Sequence, residues 1–199
     1  MTDLPEQLSA KAEAILEGAM GEFLAHGYAA TSMDRVAAAA RVSKATIYSH
    51  FRDKADLFAA IAHRLVEHKF STIVDPRQRL QGPPRLVIRR LALTMYEQAQ
   101  NDRRFNDFMR LIIGESGRFP ELARPYIEEV AAPVIGSLSN YLKSRQELCL
   151  KDTEATARIL VGSMVYFVIV QDILHGKAFM PMEVERIVDT LLDLIDPVA

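Results

Sequence analysis

The chain has 199 residues, 49% of them hydrophobic and 25% charged, with a net charge of −2. That balance excludes a disordered chain and a bulk polycation, and it leaves room for one or two globular domains with a sizeable core. The single cysteine, Cys149, excludes a disulfide framework or a multi-cysteine zinc site within one chain and fits a reducing compartment.

In chain order, residues 1–8 read as an arm, and the opening lacks the charged segment and apolar run of a signal peptide. Ser9 can cap a helix to about His26, with Ala12, Ile15, Leu16, Ala19, Met20 and Phe23 as its buried stripe. Gly27 stands where a left-handed terminator is expected. Thr31 can cap a short second helix, with Asp34 at the spacing of a capping box. Met33, Val36, Ala37 and Ala40 form its apolar face. Ser43 can cap a third helix, with Val42 before it and Ile47 and Phe51 at core spacing after it. The turn of three or four residues between them is that of a helix-turn-helix, and the small Ala37 permits a close crossing.

Lys44, Ala45, Thr46, Tyr48, Ser49 and His50 are the outward positions of the third helix. They place a cation, hydroxyls, a phenol and an imidazole on a rod that a DNA major groove accepts. Ser43 suits either a cap or a DNA contact, and Tyr48 either core packing or an outward hydroxyl. Asp53 can cap the next helix, and Lys54, misplaced against that helix's dipole, suits a DNA phosphate. Thr31, Ser32, Arg35 and Arg41 complete the candidate DNA contacts. From Thr31 to Lys54 five Lys and Arg face two Asp, a surplus of +3 that leaves −5 for the rest. A basic head on an acidic body is the charge pattern of a DNA-contacting protein.

These residues carry a resemblance. Gly27-Tyr28, Thr31-Ser32, the Ala-rich run Val36 to Ala40, Val42 to Tyr48, and Phe51 to Leu57 agree in order, spacing and type with the N-terminal domain of the TetR family of transcriptional regulators. The departure is Arg41, where the family usually has Gly. If that turn needs φ > 0, a non-Gly residue costs roughly 1 kcal/mol; Arg41 either reaches a phosphate or is merely tolerated. The segment Arg110 to Leu122 more loosely resembles the effector domain of an AcrR/AefR-like subgroup.

A fourth helix is expected from Lys54 to about Phe70, with Leu57, Phe58, Ile61, Leu65 and Val66 on its apolar face. The resemblance implies that this helix moves when a ligand binds. Asp75-Pro76 and Gly82-Pro83-Pro84 mark a break. Further helices are expected over 84–100, 102–115 and 121–146, the last kinked at Pro133. Another runs to about His175 from a cap at Asp152 or Thr153, with Gly176 as its stop, and the final one over 183–195 is ended by Pro197. No strand or repeat is expected. The fold class is therefore all-α: a three-helix head over residues 1–53 and a helical-bundle effector-binding and dimerisation body over 54–199.

The helix around Ile159–Ile173 is apolar on nearly all sides and must be covered all round. The last helix has a broad face of Ile187, Val188, Leu191, Leu192, Leu194 and Ile195. Either both are buried within one subunit, or a two-fold homodimer pairs them with their copies; the resemblance implies the homodimer. Two heads at fixed spacing would then read a two-fold symmetric site. Met95, Tyr96, Phe105, Phe108, Met109, Ile112, Tyr126, Met164, Tyr166 and Phe167 are either plain core or the lining of an adaptable apolar pocket; the resemblance, which implies a ligand-sensing body, favours a pocket for a small molecule.

The uncharged run between Arg158 and Asp172 is shorter than the roughly 20 residues of a membrane span, so no membrane partner is expected. His63 and His68 are five apart, off the three- or four-residue spacing that shares a helix face, and neither a metal nor a cofactor is expected. Cys149 is either a plain structural thiol or, if exposed with a lowered pKa, an oxidant sensor. No phosphate loop, nucleophile elbow or Cys-His constellation speaks for an enzyme. The sequence thus reads as a specific DNA-binding regulator in the cytoplasm, by default a repressor released by an effector. The alternatives are an activator or a ligand-independent architectural DNA binder.

Overall fold

The computed structural model describes residues 10–74 and 80–195, the span 66–74 by its backbone alone. Every element in them is helical. The arm, Ser9, Asp75-Pro76, Pro197 and the side chain of Val66 lie outside the described residues. The chain forms two compact units, Met1–Leu65 with Phe108–Tyr126, and Val66–Asp107 with Ile127–Ala199. These units do not follow a cut at residue 53/54, because two later pieces of chain complete the core of the first.

That first unit holds α1 (Ala10–Ala30), α2 (Met33–Ala40), α3 (Lys44–His50) and the start of α4 (Lys54–Val74). The expected stripe of α1, Ala12 to Phe23, is buried in full. Phe23 packs on Tyr28 and Phe58 with ring centroids 5.6 and 5.4 Å apart. Phe108 stacks on Phe58 at 4.9 Å, and Phe119 meets Tyr28 at 4.9 Å. Such ring pairs contribute roughly 0.5–1.5 kcal/mol each beyond their buried area. They explain why 108–126 belongs with the head.

The α1 helix breaks where Gly27 was expected to end it, but not in the expected way. Gly27 has φ 78 and ψ 167, a glycine-only conformation outside the left-handed helical well, and one more turn follows to Ala30. A Cβ there would stand 2.8 Å from the Glu115 carboxylate, which accepts the Tyr28 N–H at 3.0 Å. Gly18, on the same helix, lets α1 and α2 cross closely: a Cβ at Gly18 would lie 2.8 Å from the Ala40 nitrogen.

The second unit is a bundle of α5 (Pro84–Asn101), α8 (Ala132–Lys143), α9 (Thr153–Val168) and α10 (Val184–Ile195). Val87, Ile88, Leu138, Leu142, Leu160, Met164, Phe167, Val188 and Leu192 form its core. Ion pairs of Arg85 with Asp193 and Arg89 with Asp189 tie α5 to α10. The α6 helix (Arg103–Glu115), capped by Asp102, starts in the second unit and ends in the first, which also holds a one-turn α7 (Arg124–Tyr126). A π-turn over Ile127–Ala131 then leads into α8. That turn precedes Pro133, which has no N–H to continue an α-helical ladder, so the expected interruption takes this form.

The Asp152 side chain caps α9, accepting the Ala155 N–H at 2.9 Å. A second π-turn, Ile169–Ile173, extends the helix, and His175 rather than Gly176 takes the left-handed position, at φ 58. Gly176 instead passes so close to Val170 that a Cβ would clash with its carbonyl oxygen. By length and composition alone, Thr153–Ile173 is a helical stretch long and apolar enough to cross a membrane. Its Leu160, Met164 and Phe167 are core residues of the bundle.

Candidate nucleic-acid interface and effector cavity

The helix-turn-helix is built from local signals, one of them shifted by a residue. Ser32, not Thr31, is the N-cap of α2, its Oγ accepting the Arg35 N–H at 3.3 Å. Thr31 is 2% exposed, and its hydroxyl proton is shared between the carbonyls of Gly27 at 2.9 Å and Glu22 at 3.1 Å. It is a buried strut between α1 and α2 and no surface contact for DNA. The expected capping box with Asp34 is therefore not formed.

Arg41 ends α2 with φ 55 and ψ 40, the strained position usually given to Gly. Its N–H reaches the Ala38 carbonyl at 3.2 Å, and the Val42 N–H reaches Ala37 at 3.0 Å. This is a Schellman closure. The turn does need φ > 0, so the condition attached to Arg41 in the sequence is met.

Ser43 caps α3 as expected, accepting the Thr46 N–H at 3.1 Å, with the two hydroxyl oxygens 2.8 Å apart. Ile47 is fully buried and anchors the inner face. On the outer face Lys44, Ala45, Tyr48, Ser49 and His50 are exposed, while Thr46 is half-buried. The Ser49 hydroxyl donates to the Thr46 carbonyl at 2.7 Å. Ser32, Arg35 and Arg41 are exposed too.

Lys54 differs from expectation. Its ammonium donates to the carbonyls of Tyr28 at 2.7 Å, Thr31 at 2.9 Å and Ala29 at 3.4 Å, and lies 4.4 Å from the Tyr28 ring centroid. A cation at the end of α1 complements that helix's dipole. Burial draws its pKa below the ordinary lysine value, with Glu115 opposing. Lys54 is thus a clamp inside the head, with its donors already used. Asp53 caps α4 as expected, accepting the Asp56 N–H at 2.8 Å.

The ten residues read as a pocket are not gathered in one place. Phe108 and Ile112 are buried in the first unit's core, with Met109 and Tyr126 packed against it; burial raises the Tyr126 pKa. Phe105 is half-buried and Tyr166 is exposed. Tyr96 and Phe167 meet edge to face at 5.7 Å in the second unit. Only Met95 and Met164 reach the half-open cavity of the bundle. Its other walls are Leu80, Ile88, Leu91, Ala92, Val134, Leu138, Leu160, Val161, Val188 and Leu191, with Ser137 as the one polar side chain. The cavity amounts to about 50 Å³, room for a few waters and far below the roughly 300–1,000 Å³ of ligand sites. Sequence reasoning missed these walls because they are ordinary aliphatics, indistinguishable from core.

Comparison with known proteins agrees with this architecture. The family model of bacterial regulatory proteins of the tetR family matches residues 15–61. That of the AefR-like transcriptional repressor C-terminal domain matches residues 87–195. The HTH-type transcriptional repressor SCO4008 of Streptomyces coelicolor is 38% identical over 73 residues, only 36% of either chain. The uncharacterized HTH-type regulator YhgD of Bacillus subtilis is 28% identical over 184 residues, 89% of this chain and 90% of that one. The solved structure of the flavonoid-responsive regulator FrrA is 27% identical, with a TM-score of 0.77 over 94% of this chain and 96% of that one. TetR regulators bind DNA and small-molecule effectors and are dimers. The chain belongs to the TetR family, with a C-terminal domain of the AefR-like repressor kind, and is a DNA-binding transcriptional regulator.

Proposed function

We propose that the protein is a homodimeric repressor. It reads a two-fold symmetric operator with one α3 per subunit and releases it when a small apolar or amphipathic ligand enters the α5–α8–α9–α10 cavity. The observation that carries this reading is the outer face of α3. A helix locked by Ser43 and Ile47 presents Lys44, Tyr48, Ser49 and His50 outward, as a major-groove reader requires. Reading is the work of residues before 54, and effector binding and dimerisation that of 54–199. The protein acts in the cytoplasm, where its DNA lies, and performs no catalysis.

Dimerisation is supported by what one subunit leaves uncovered. Ile159 and Tyr166 on α9 are 62% and 66% exposed, and Leu194 on α10 is 72% exposed. Positions 159 and 166 lie two turns apart on one helix face. A second copy covering them removes apolar surface from water at roughly 25 cal/mol per Å².

The effector reading rests on the cavity's apolar walls and on FrrA being flavonoid-responsive. A ligand larger than about 50 Å³ fits only a widened bundle. It therefore favours whichever state is open, and its differential affinity sets the shift between the states. Because the chain passes between the units three times, within α4, within α6 and after α7, a rearranged bundle has three covalent routes to the head.

The test is binding to duplex DNA from around the protein's own gene, against an unrelated duplex of equal length. Tight binding that is lost in Tyr48→Ala and Lys44→Ala, and released by a flavonoid in the wild type but not in Ala92→Phe, is the expected result. Preference for no sequence, both here and in a genome-wide fragment selection, would refute the reading.

A further inference from the structure

The sequence count gives the head a surplus of +3, yet the structure hides most of it. Arg35 pairs with Glu22 at 2.9 Å, and Arg52 with Asp56 at 3.2 Å. Lys44 pairs with Asp34 at 2.8 Å. Lys54 is spent on carbonyls. Among the described residues, Arg41 is the cation of the five without such an engagement.

The Lys44–Asp34 pair stands out by its place. Lys44 is the only lysine or arginine of α3, and Asp34 lies in the first turn of α2. Thus the reading helix has its one strong cation held by its neighbour. The hydrogen bond to Asp34 raises the Lys44 pKa above the ordinary lysine value.

We propose that Asp34 is a specificity-determining residue: by pairing with Lys44 it withholds the cation of α3 from DNA phosphates unless base contacts hold the helix in register. This rests on α3 being the reading helix. Backbone binding grows with the number of phosphates neutralised and is independent of sequence. A lysine already matched to a carboxylate adds little to it, because the phosphate displaces one anion only to face it. On the correct sequence, contacts from Tyr48, Ser49 and Thr46 dock α3, and the phosphate is presented at a fixed point. An exposed ion pair is weak enough to open there. Asp34 therefore lowers affinity for wrong DNA more than for right DNA, and the difference between the two is specificity.

The experiment uses the full chain and a duplex recovered from a randomised pool by the wild-type protein, with a scrambled duplex of the same composition as control. Asp34→Asn is expected to bind the scrambled duplex more tightly, with a salt slope steeper by about 0.9. That gain grows about threefold as salt falls from about 200 to about 50 mM. Affinity for the selected duplex rises less, so the ratio between the two falls. The gain disappears in the Lys44→Gln background, as a coupled pair requires. Lys44→Gln alone leaves the scrambled duplex nearly unaffected and weakens the selected one.

An unchanged slope and ratio in Asp34→Asn, or an equal gain without Lys44, would overturn the proposal. So would weaker binding of Asp34→Asn to the selected duplex, which would mark the carboxylate as a base-reading group. If Tyr48→Ala binds the selected duplex like the wild type, the assignment of α3 as the reader fails first and takes this inference with it.

Discussion

Replacing Lys54 with Met separates two roles that a lysine at the start of α4 can have. The side chain keeps its length and loses its charge. In the structure the ammonium makes two short hydrogen bonds to the carbonyls of Tyr28 and Thr31, a longer one to Ala29, and a cation–π contact with Tyr28. Hydrogen bonds to a charged group contribute roughly 1.5–3 kcal/mol each where water is excluded. Here the site is half-buried, so water can recover part of that; the net loss is about 2 kcal/mol. For a chain of this size each kcal/mol lowers Tm by about 2–4 °C, so the head should melt about 4–8 °C lower. Calorimetry gives this number, and the salt dependence of operator binding gives the other half of the answer. A clamp leaves the slope of log K against log salt unchanged, whereas loss of a phosphate contact reduces it by about 0.9. An unaltered Tm together with a slope reduced by that amount would refute the clamp and restore Lys54 as a phosphate ligand.

Two further outcomes follow from the head's packing and charge. Gly18→Val places a Cβ against the Ala40 backbone, 2.8 Å from its nitrogen and 3.1 Å from its Cα. Backbone cannot swing aside, so urea denaturation should show a loss of about 1–3 kcal/mol; wild-type stability would contradict the close crossing of α1 and α2. The second concerns pH. Hydrogen bonds from Arg52 hold the Asp56 carboxyl below its ordinary pKa of 3.8. A depressed carboxylate contributes stability that is present above the ordinary pKa and lost as pH falls through the folded value. Asp56→Asn should therefore be less stable than the wild type at neutral pH and equal to it well below that ordinary pKa. A difference that persists in acid would mean that the side chain acts through packing and not through its charge.

Much of the head was legible because its signals are local. The spacing of Ala12, Ile15, Leu16, Ala19, Met20 and Phe23 defines the buried face of α1, since helical periodicity alone brings those side chains together. Ser43, Asp53 and Asp152 cap their helices because each oxygen needs only an amide three residues on. The strain at Arg41 was readable from one departure in a familiar run of residues. Thr31 was misread as a cap for a related reason: Ser32 satisfies the same rule one residue later, and nothing local distinguishes them. The distinction lies in the Glu22 carbonyl, nine residues back on α1.

The sequence by itself determined the all-α architecture, the helix-turn-helix, most helix ends and which side chains α3 turns outward. These depend on periodicity, capping and short turns, which act within a few residues. Only the tertiary structure decided where Lys54 spends its charge, that Asp34 holds Lys44, that residues 108–126 complete the head's core, and that the cavity is walled by aliphatics and not by the aromatics. The physical reason is the same in each case. A hydrogen bond, an ion pair and a cavity wall are all made by residues far apart in sequence, and their partners are chosen by how the helices cross.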